Sequence, residues 1–458
     1  MKITDTIAAI ATAVNNQGIG KIRISGEEAI EIADKSIKLK SGKKLSDCKS
    51  HTIHYGHVYD GEDIIDEVLV SIMRAPKTYT REDVIEIDCH GGILVTRQVL
   101  RIILKNGARP AEGGEFTKRA FLNGRIDISQ AEAIMDLINA KSDLSLKASV
   151  SQLEGKMSEK VKNIRATLLY HIAYIEAALD DPEHISLDGY SDTLKTALDE
   201  VKIDLEKLLE SAEDGRIITE GIKTVILGKP NVGKSSLLNR LSNSNRAIVT
   251  DIAGTTRDTL EESIIIKGLR LNIVDTAGIR QTDDVVEKIG VERALETSKD
   301  CDLIIFVVDS STALNEDDVL ILEHIKNKKA LIILNKNDLD NVTGEEEIRK
   351  HSDKHIISVS ALFDDGIKNI TDYIYEMFVN GEINFNDRVY ITNERQKDAI
   401  NEALKGVERT LESIDAQMPE DFYSIDIMDA YENLGKVIGE TLGEDLVDEI
   451  FSKFCMGK

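Results

Sequence analysis

The sequence predicts a multidomain α/β plus all-α protein: an N-terminal mixed α/β domain, a helical bundle domain, and a doubly wound α/β domain inserted into the bundle. Three observations lead there. Short strand-like runs alternate with turns over about the first 120 residues, segments of helical period flank the middle of the chain, and the middle carries a phosphate-loop spacing between a strand and a helix.

A length of 458 residues exceeds what one hydrophobic core usually holds, so roughly two or three domains are expected. The hydrophobic share of 41% and charged share of 30% point to a soluble globular chain and away from a disordered or membrane-embedded one. No apolar run approaches the roughly 20 residues needed to cross a bilayer. The apolar stretch 7–13 is short and preceded by Asp5, which argues against a signal peptide. Cys48, Cys89, Cys301 and Cys455 lack paired spacing, which suits a reducing cytoplasm better than a zinc cluster or a disulfide framework. A net charge of -25 weighs against a broad basic surface for nucleic acid. Lys35, Lys38, Lys40, Lys43, Lys44 and Lys49 read first as a solvated loop and second as a local basic patch. His51, His54 and His57 are spaced by three, which sends strand neighbours to opposite faces and gives no metal site.

In the N-terminal region, Lys21-Ile22-Arg23-Ile24, the run 67–72 and Val84-Ile85-Glu86-Ile87 read as strands, and 93–104 as a helix. From about Ser129 the texture becomes helical. Ile164, Leu168, Ile172, Ile175 and Leu179 form one apolar stripe, and Leu194, Leu198, Val201, Leu205 and Leu208 form another. A third stripe, Ile400, Leu404, Val407, Leu411 and Ile414, lies beyond the middle region. The expected domains are 1–120, a helical domain made from 121–214 and 381–458, and an inserted domain over 215–380. Two separate bundles would give the same pattern.

The strand-like Thr224-Val225-Ile226-Leu227 leads into Gly228-Lys229-Pro230-Asn231-Val232-Gly233-Lys234-Ser235, followed by a helical pattern from Ser236. This fits the phosphate-loop pattern G-x-x-x-x-G-K-S/T, whose glycines let successive N–H groups and a helix N-terminus face an anion. Lys234 reaches the β- and γ-phosphates in such a loop, and the Ser235 hydroxyl ligates magnesium. Asp275-Thr276-Ala277-Gly278 follows a second strand-like run, with a carboxylate suited to magnesium and a glycine N–H suited to the γ-phosphate. Asn335-Lys336-Asn337-Asp338 follows a third, and Asp338 can accept from both N1–H and N2–H of guanine, which adenine lacks. Ser358-Val359-Ser360-Ala361 completes a base pocket. Four motifs in this order predict a GTP-binding and GTP-hydrolysing domain. Ile279 stands where a water-orienting glutamine stands in regulatory GTPases, so another group must serve that role.

Asn231, Thr250-Asp251-Ile252-Ala253-Gly254-Thr255-Thr256-Arg257-Asp258, the segment 275–280 and Glu287-Lys288-Ile289-Gly290 resemble the tRNA modification GTPase MnmE (TrmE) family. The resemblance extends over the flanks. It includes Tyr79-Thr80-Arg81-Glu82-Asp83, Cys89-His90-Gly91-Gly92, the run 114–123 and the ending Cys455-Met456-Gly457-Lys458. It implies a potassium ion (K+) held by Asn231, Thr250, Ile252 and Thr255, and magnesium (Mg2+) held by Ser235 and Thr256. Glu287 takes the missing glutamine's place, although its acidic surroundings also allow a solvated carboxylate. The resemblance further implies that the N-terminal domain forms a homodimer and binds 5-formyltetrahydrofolate or a related one-carbon tetrahydrofolate through Arg23, Glu86 and Arg125. A carboxylate can pair with the pterin edge and a cation with the glutamate tail. Glu86 also reads as an outward residue of an alternating strand.

The cysteine of the C-terminal motif then lies near the folate, with Lys458 beside it and able to favour the thiolate. Cys455 stays open as nucleophile, packing residue or link to a partner. Two departures from the family stand out: Ala13-Val14-Asn15-Asn16-Gln17 replaces a proline- and glycine-rich stretch, and Arg125 replaces a lysine. The implied activity is a potassium-activated GTPase that works in the cytoplasm with the flavoprotein MnmG, as a heterotetramer, on the wobble uridine of tRNA. No membrane is involved. The alternative is a ribosome-assembly GTPase acting as an RNA-binding timer, but no basic or G-x-x-G module follows residue 380.

Overall fold

A computed structural model describes residues 5–244, 262–274, 298–363, 365–378, 389–454 and 457. The chain divides into two compact units. One comprises Met1–Met135, Gln152–Leu205 and Asp398–Lys458; the other comprises Asp136–Ser151 and Glu206–Lys397.

In the first unit, strands β1 (Ile7–Ile10), β2 (Ile19–Ser25), β3 (Ile37–Leu39), β4 (Thr52–Asp60), β5 (Asp63–Met73), β6 (Val84–His90) and β7 (Arg109–Pro110) make a sheet of order β3-β4-β5-β6-β2-β1-β7. Alternation sends Ile22, Ile24, Val68, Val70, Ile85 and Ile87 into a core shared with the helices Ala29–Asp34 and Ile93–Lys105. Their neighbours Lys21, Arg23, Glu86 and Asp88 therefore occupy the opposite face. The three strand runs and the helix expected from the sequence all lie within these elements.

Helix Glu115–Leu122 is anchored by Arg119, whose side chain is 1% exposed. Its guanidinium donates to the Asp5 carboxylate at 2.8 Å, to Glu115 at 3.0 Å and to Glu82 at 3.2 Å. Arg109 holds the same Asp5 and Glu115 carboxylates at 2.7 and 2.5 Å, so the buried cation and its acids form a connected network. Helix Glu444–Ser452 closes this region through Val447 and Phe451, which pack with Ala120, Ile128 and Ile134.

The helical stripes are buried where the period demands it. Ile164, Leu168, Ile172 and Ile175 face inward on helix Lys156–Asp180, which packs along helix Asp421–Ile438. Leu179 departs from the stripe: it is 44% exposed, and Ala178 is buried instead. His51, His54 and His57 go to separate partners: the Lys77 carbonyl at 3.0 Å, the Thr52 hydroxyl at 2.8 Å and the Tyr59 ring at 6.4 Å.

In the second unit, β8 (Ile222–Leu227), β9 (Glu262–Ile266), β10 (Leu269–Val274), β11 (Leu303–Asp309), β12 (Ala330–Asn335) and β13 (His355–Ser358) form a sheet of order β13-β12-β11-β8-β10-β9. All pairs are parallel except β9 with β10. β11 reads as continuous hydrophobics because both of its faces are covered. Leu303, Ile305 and Val307 join one core, while Ile304, Phe306 and Val308 join the other. Helix Tyr190–Glu220 leads into β8, and Gly215 on it lies against the segment around Ile391. A Cβ at Gly215 would sit 1.9 Å from the Ile391 carbonyl oxygen, so only glycine lets these two passages of the chain run this close.

Candidate nucleotide site and a second polar cluster

β8 is flanked by parallel partners on both sides, so its carboxyl end opens onto the crevice where such sheets bind ligands. The loop from Gly228 ends at helix Lys234–Ser244. Asn231 and Gly233 adopt positive φ, 60° and 100°, which curls the loop around the helix start. Val232 is buried below the loop, and Asn231, Ser235 and Ser236 are exposed on its outer side. The Lys234 ammonium donates to the carbonyls of Gly228 at 2.6 Å and Lys229 at 2.7 Å. Burial pushes its pKa down to about 8. An anion of several oxygens at this helix start would restore the charge that burial disfavours, and the loop therefore fits a triphosphate.

The base-pocket residues converge from two strand ends. Asn335, at the end of β12, donates from Nδ2 to the Val232 carbonyl at 2.7 Å and accepts the Ala361 N–H at 3.1 Å. One buried amide thus ties the phosphate loop, the base loop and the 358–361 turn together. Lys336 has φ of 65° and donates to Asp309 Oδ2 at 2.6 Å. Burial pushes the Asp309 carboxyl upward, but Lys336 and Ser311 outweigh it and hold the group below the ordinary carboxylate value. Asp338 accepts from the Ser360 hydroxyl at 2.5 Å, which fixes one carboxylate oxygen. Ser358 closes β13 on the same side.

Thr250, Asp251, Ile252, Ala253, Gly254, Thr255, Thr256, Asp275, Thr276, Ala277, Gly278, Ile279 and Glu287 lie outside the described residues. Of the residues expected to hold metal ions, Asn231 and Ser235 alone are described, both on the phosphate loop.

A second polar cluster occupies the face of the N-terminal sheet opposite its main core. Register places Arg23 opposite Glu86, and the two meet at 2.8 Å. Lys21 meets the other Glu86 oxygen at 2.7 Å. Burial raises the Glu86 pKa, yet Lys21 and Arg23 overcome it and the net direction is downward. Tyr79 lies between two cations, 5.5 Å from Arg23 and 4.7 Å from Arg125. The C-terminal motif arrives at the same point: Arg23 Nη1 donates to the Gly457 carbonyl at 3.1 Å. Cys455 and Lys458 lie outside the described residues. The cluster thus presents a carboxylate, two guanidinium groups and an aromatic face within one region of the sheet.

Sequence reading missed several of these groups. Asp309 looks like the tail of an apolar strand, and nothing in its neighbourhood announces a partner in the base loop. Tyr79 stands out in the sequence only as part of the motif Tyr79-Thr80-Arg81-Glu82-Asp83. Asn315 and Asp318 do carry a readable signal, the N-x-x-D spacing of a helix-capping box, which helix Glu316–His324 forms.

The described geometry defines the class: a doubly wound α/β domain whose first parallel strand runs through a phosphate loop into a helix, a P-loop protein. The family model for the MnmE helical domain matches residues 128–455, and that for the GTP-binding protein TrmE N-terminus matches residues 6–125. The chain belongs to the MnmE family. It is 58% identical over 457 residues to the tRNA modification GTPase MnmE of Lachnoclostridium phytofermentans, covering 99% of this chain and 100% of the relative. The protein of the same name in Clostridioides difficile is 50% identical, covering 100% of both chains. That in Bacillus subtilis is 46% identical, covering 99% of this chain and 100% of the relative. Among the described residues, no helix is long and apolar enough to cross a membrane.

Proposed function

We propose that this chain couples GTP hydrolysis to modification of tRNA, installing an aminomethyl or carboxymethylaminomethyl group at C5 of the wobble uridine together with the flavoprotein MnmG. The observation that carries the reading is the presence, in one chain, of a phosphate loop braced to a base loop through Asn335 and a separate cluster of Arg23, Glu86, Tyr79 and Arg125. The full-length similarity to relatives named tRNA modification GTPase supports it. Such a substrate makes the cytoplasm the site of action. The domain limits proposed are 1–120, 121–214 with 381–458, and 215–380, and the working form proposed is a homodimer joined to MnmG.

In this scheme Lys234 and Ser235 bind the triphosphate and its magnesium, and Asp338 selects guanine. Thr256 and Asp275 complete the magnesium shell, and Glu287 orients the attacking water. Asn231, Thr250, Ile252 and Thr255 hold potassium, which when bound supplies positive charge against the charge that develops on the phosphates. Arg23, Glu86 and Arg125 hold the tetrahydrofolate, which supplies the one-carbon unit. Gly457, which stands between Cys455 and Lys458 in the sequence, accepts from Arg23 of this cluster. Hydrolysis drives closure and opening of paired nucleotide domains, a motion coupled to the modification centre.

Deleting the gene in its host should remove the C5-modified wobble uridine from the tRNA nucleoside profile. Unchanged levels in a strain without a redundant pathway would refute the reading. The cation role has its own test. GTP turnover should be on the order of tenfold or more faster in potassium than in sodium, and Asn231→Ala should abolish that difference. Equal wild-type rates in the two salts would remove potassium from the mechanism while leaving GTP hydrolysis in place.

A further inference from the structure

Lys229, the second residue of the phosphate loop, is not one of the residues the loop motif specifies, yet its side chain is 22% exposed and directed to a buried acid. Its ammonium lies 2.6 Å from Oδ2 of Asp318, whose side chain is 1% exposed. Asp318 sits in the first turn of helix Glu316–His324 and closes a capping box, accepting the Asn315 N–H at 3.0 Å. Its second oxygen, Oδ1, is buried and makes no hydrogen bond among the described residues. Capping from this third helical position needs only an acceptor for the Asn315 N–H, which a neutral amide side chain also supplies. A buried carboxylate with one unsatisfied oxygen is tolerated only where an opposite charge compensates it, and Lys229 is that charge.

The pair bears on the nucleotide because of what the Lys229 backbone does. The Lys229 carbonyl oxygen accepts from the Lys234 ammonium at 2.7 Å. The Lys229 side chain therefore fixes, from below, the peptide that holds the phosphate-binding lysine. A second ion pair, Lys336 to Asp309, anchors the base loop to the end of β11 at the same distance, 2.6 Å. The segment from Asp309 to Asp318 thus holds each nucleotide loop by a separate carboxylate, although it carries none of the four nucleotide motifs.

We propose that Asp318 is a positioning residue for nucleotide binding: through Lys229 it sets the phosphate loop, independently of the Asp309 anchor that sets the base loop. The proposal rests on the guanine-nucleotide reading of the site and adds to it a division of labour.

The test is calorimetric titration of the full chain with GDP and with inosine diphosphate, which lacks the guanine 2-amino group. It uses Asp318→Asn, Lys229→Met and the double variant. Asparagine at 318 retains an oxygen for the cap and loses only the charge. Both single variants should bind GDP about tenfold more weakly, the range of a lost charge-assisted contact. The ratio of GDP to inosine diphosphate affinity should stay at the wild-type value, because Asp338 and Asp309 are untouched. The double variant should bind GDP no worse than either single one, and it should melt at a higher temperature than Lys229→Met, which leaves the buried carboxylate unpaired. GDP affinity within twofold of wild type in both single variants would overturn the proposal. So would additive losses in the double variant, or a collapse of the affinity ratio, which marks disruption of the whole site. Wild-type protein that bound no GDP would overturn the nucleotide reading first.

Discussion

Lys234→Ala should lower GTP turnover by a hundred- to a thousandfold, on the order of what removing one preorganised transition-state donor does. The ammonium is held by the Gly228 and Lys229 carbonyls at 2.6 and 2.7 Å, so it meets the phosphates already oriented and loses little freedom on binding. The same burial predicts a pH signature. The folded-state pKa, about 8, lies below the ordinary lysine value of 10.5. Between those two values the unfolded chain binds the extra proton, so stability rises as pH climbs through that window. Below about 8 the ammonium is charged in both states and the burial penalty is fully present. A bound polyphosphate reverses the balance, because an adjacent anion favours the charged form. GDP binding slightly above pH 8 should therefore take up protons. Calorimetry in buffers of different ionisation enthalpy measures this directly, and identical apparent enthalpies in all buffers would refute it.

Gly233→Ala should damage both folding and nucleotide binding. The residue has φ of 100°, a conformation that an L side chain resists by about 1–2 kcal/mol. Its Cβ would also lie 2.1 Å from Asn335 Nδ2. A flexible side chain could swing aside, but Asn335 is 2% exposed and bonded at both ends of its amide, to Val232 and to Ala361. Moving it leaves two buried polar groups unsatisfied, each worth about 1–3 kcal/mol. The expected result is a lower midpoint in nucleotide-free thermal unfolding and GDP binding weaker by well over tenfold, with guanine selectivity impaired as well. This last outcome separates Gly233 from Asp318, whose loss should leave selectivity intact. A Gly233→Ala protein with normal melting and normal GDP affinity would show that the three loops are not mechanically joined through Asn335.

Much of the nucleotide site was legible because its chemistry is local. Gly228 to Ser235 are consecutive, and a strand before and a helix after them are enough to define an anion-binding loop. The same holds for Asn335, Lys336 and Asp338, which follow one strand, and for Ser360 and Ala361, which follow the next. What the sequence could not reveal is which side chains brace these loops. Asp309 and Lys336 are 27 positions apart, and Asn335 and Val232 are 103 apart. Periodicity and motif spacing carry no information over such separations. The N-terminal cluster shows the same limit. Arg23 and Glu86 were singled out by family resemblance, but their ion pair depends on β2 and β6 pairing in one particular register, since a slip of one residue would send both to the other face.

By itself, then, the sequence determined the fold class, the nucleotide motifs and the helical stripes, all of which arise from patterns within a few turns or one strand. At Leu179 the stripe departs from the pattern: that residue is exposed and Ala178 is buried instead. The tertiary structure alone decided that Asn335 joins three loops, that Arg23, Glu86, Tyr79 and Arg125 meet with Gly457, and that Lys229 answers Asp318. Those meetings follow from sheet order and register, and a buried charge or amide is satisfied only by whatever group the fold brings beside it.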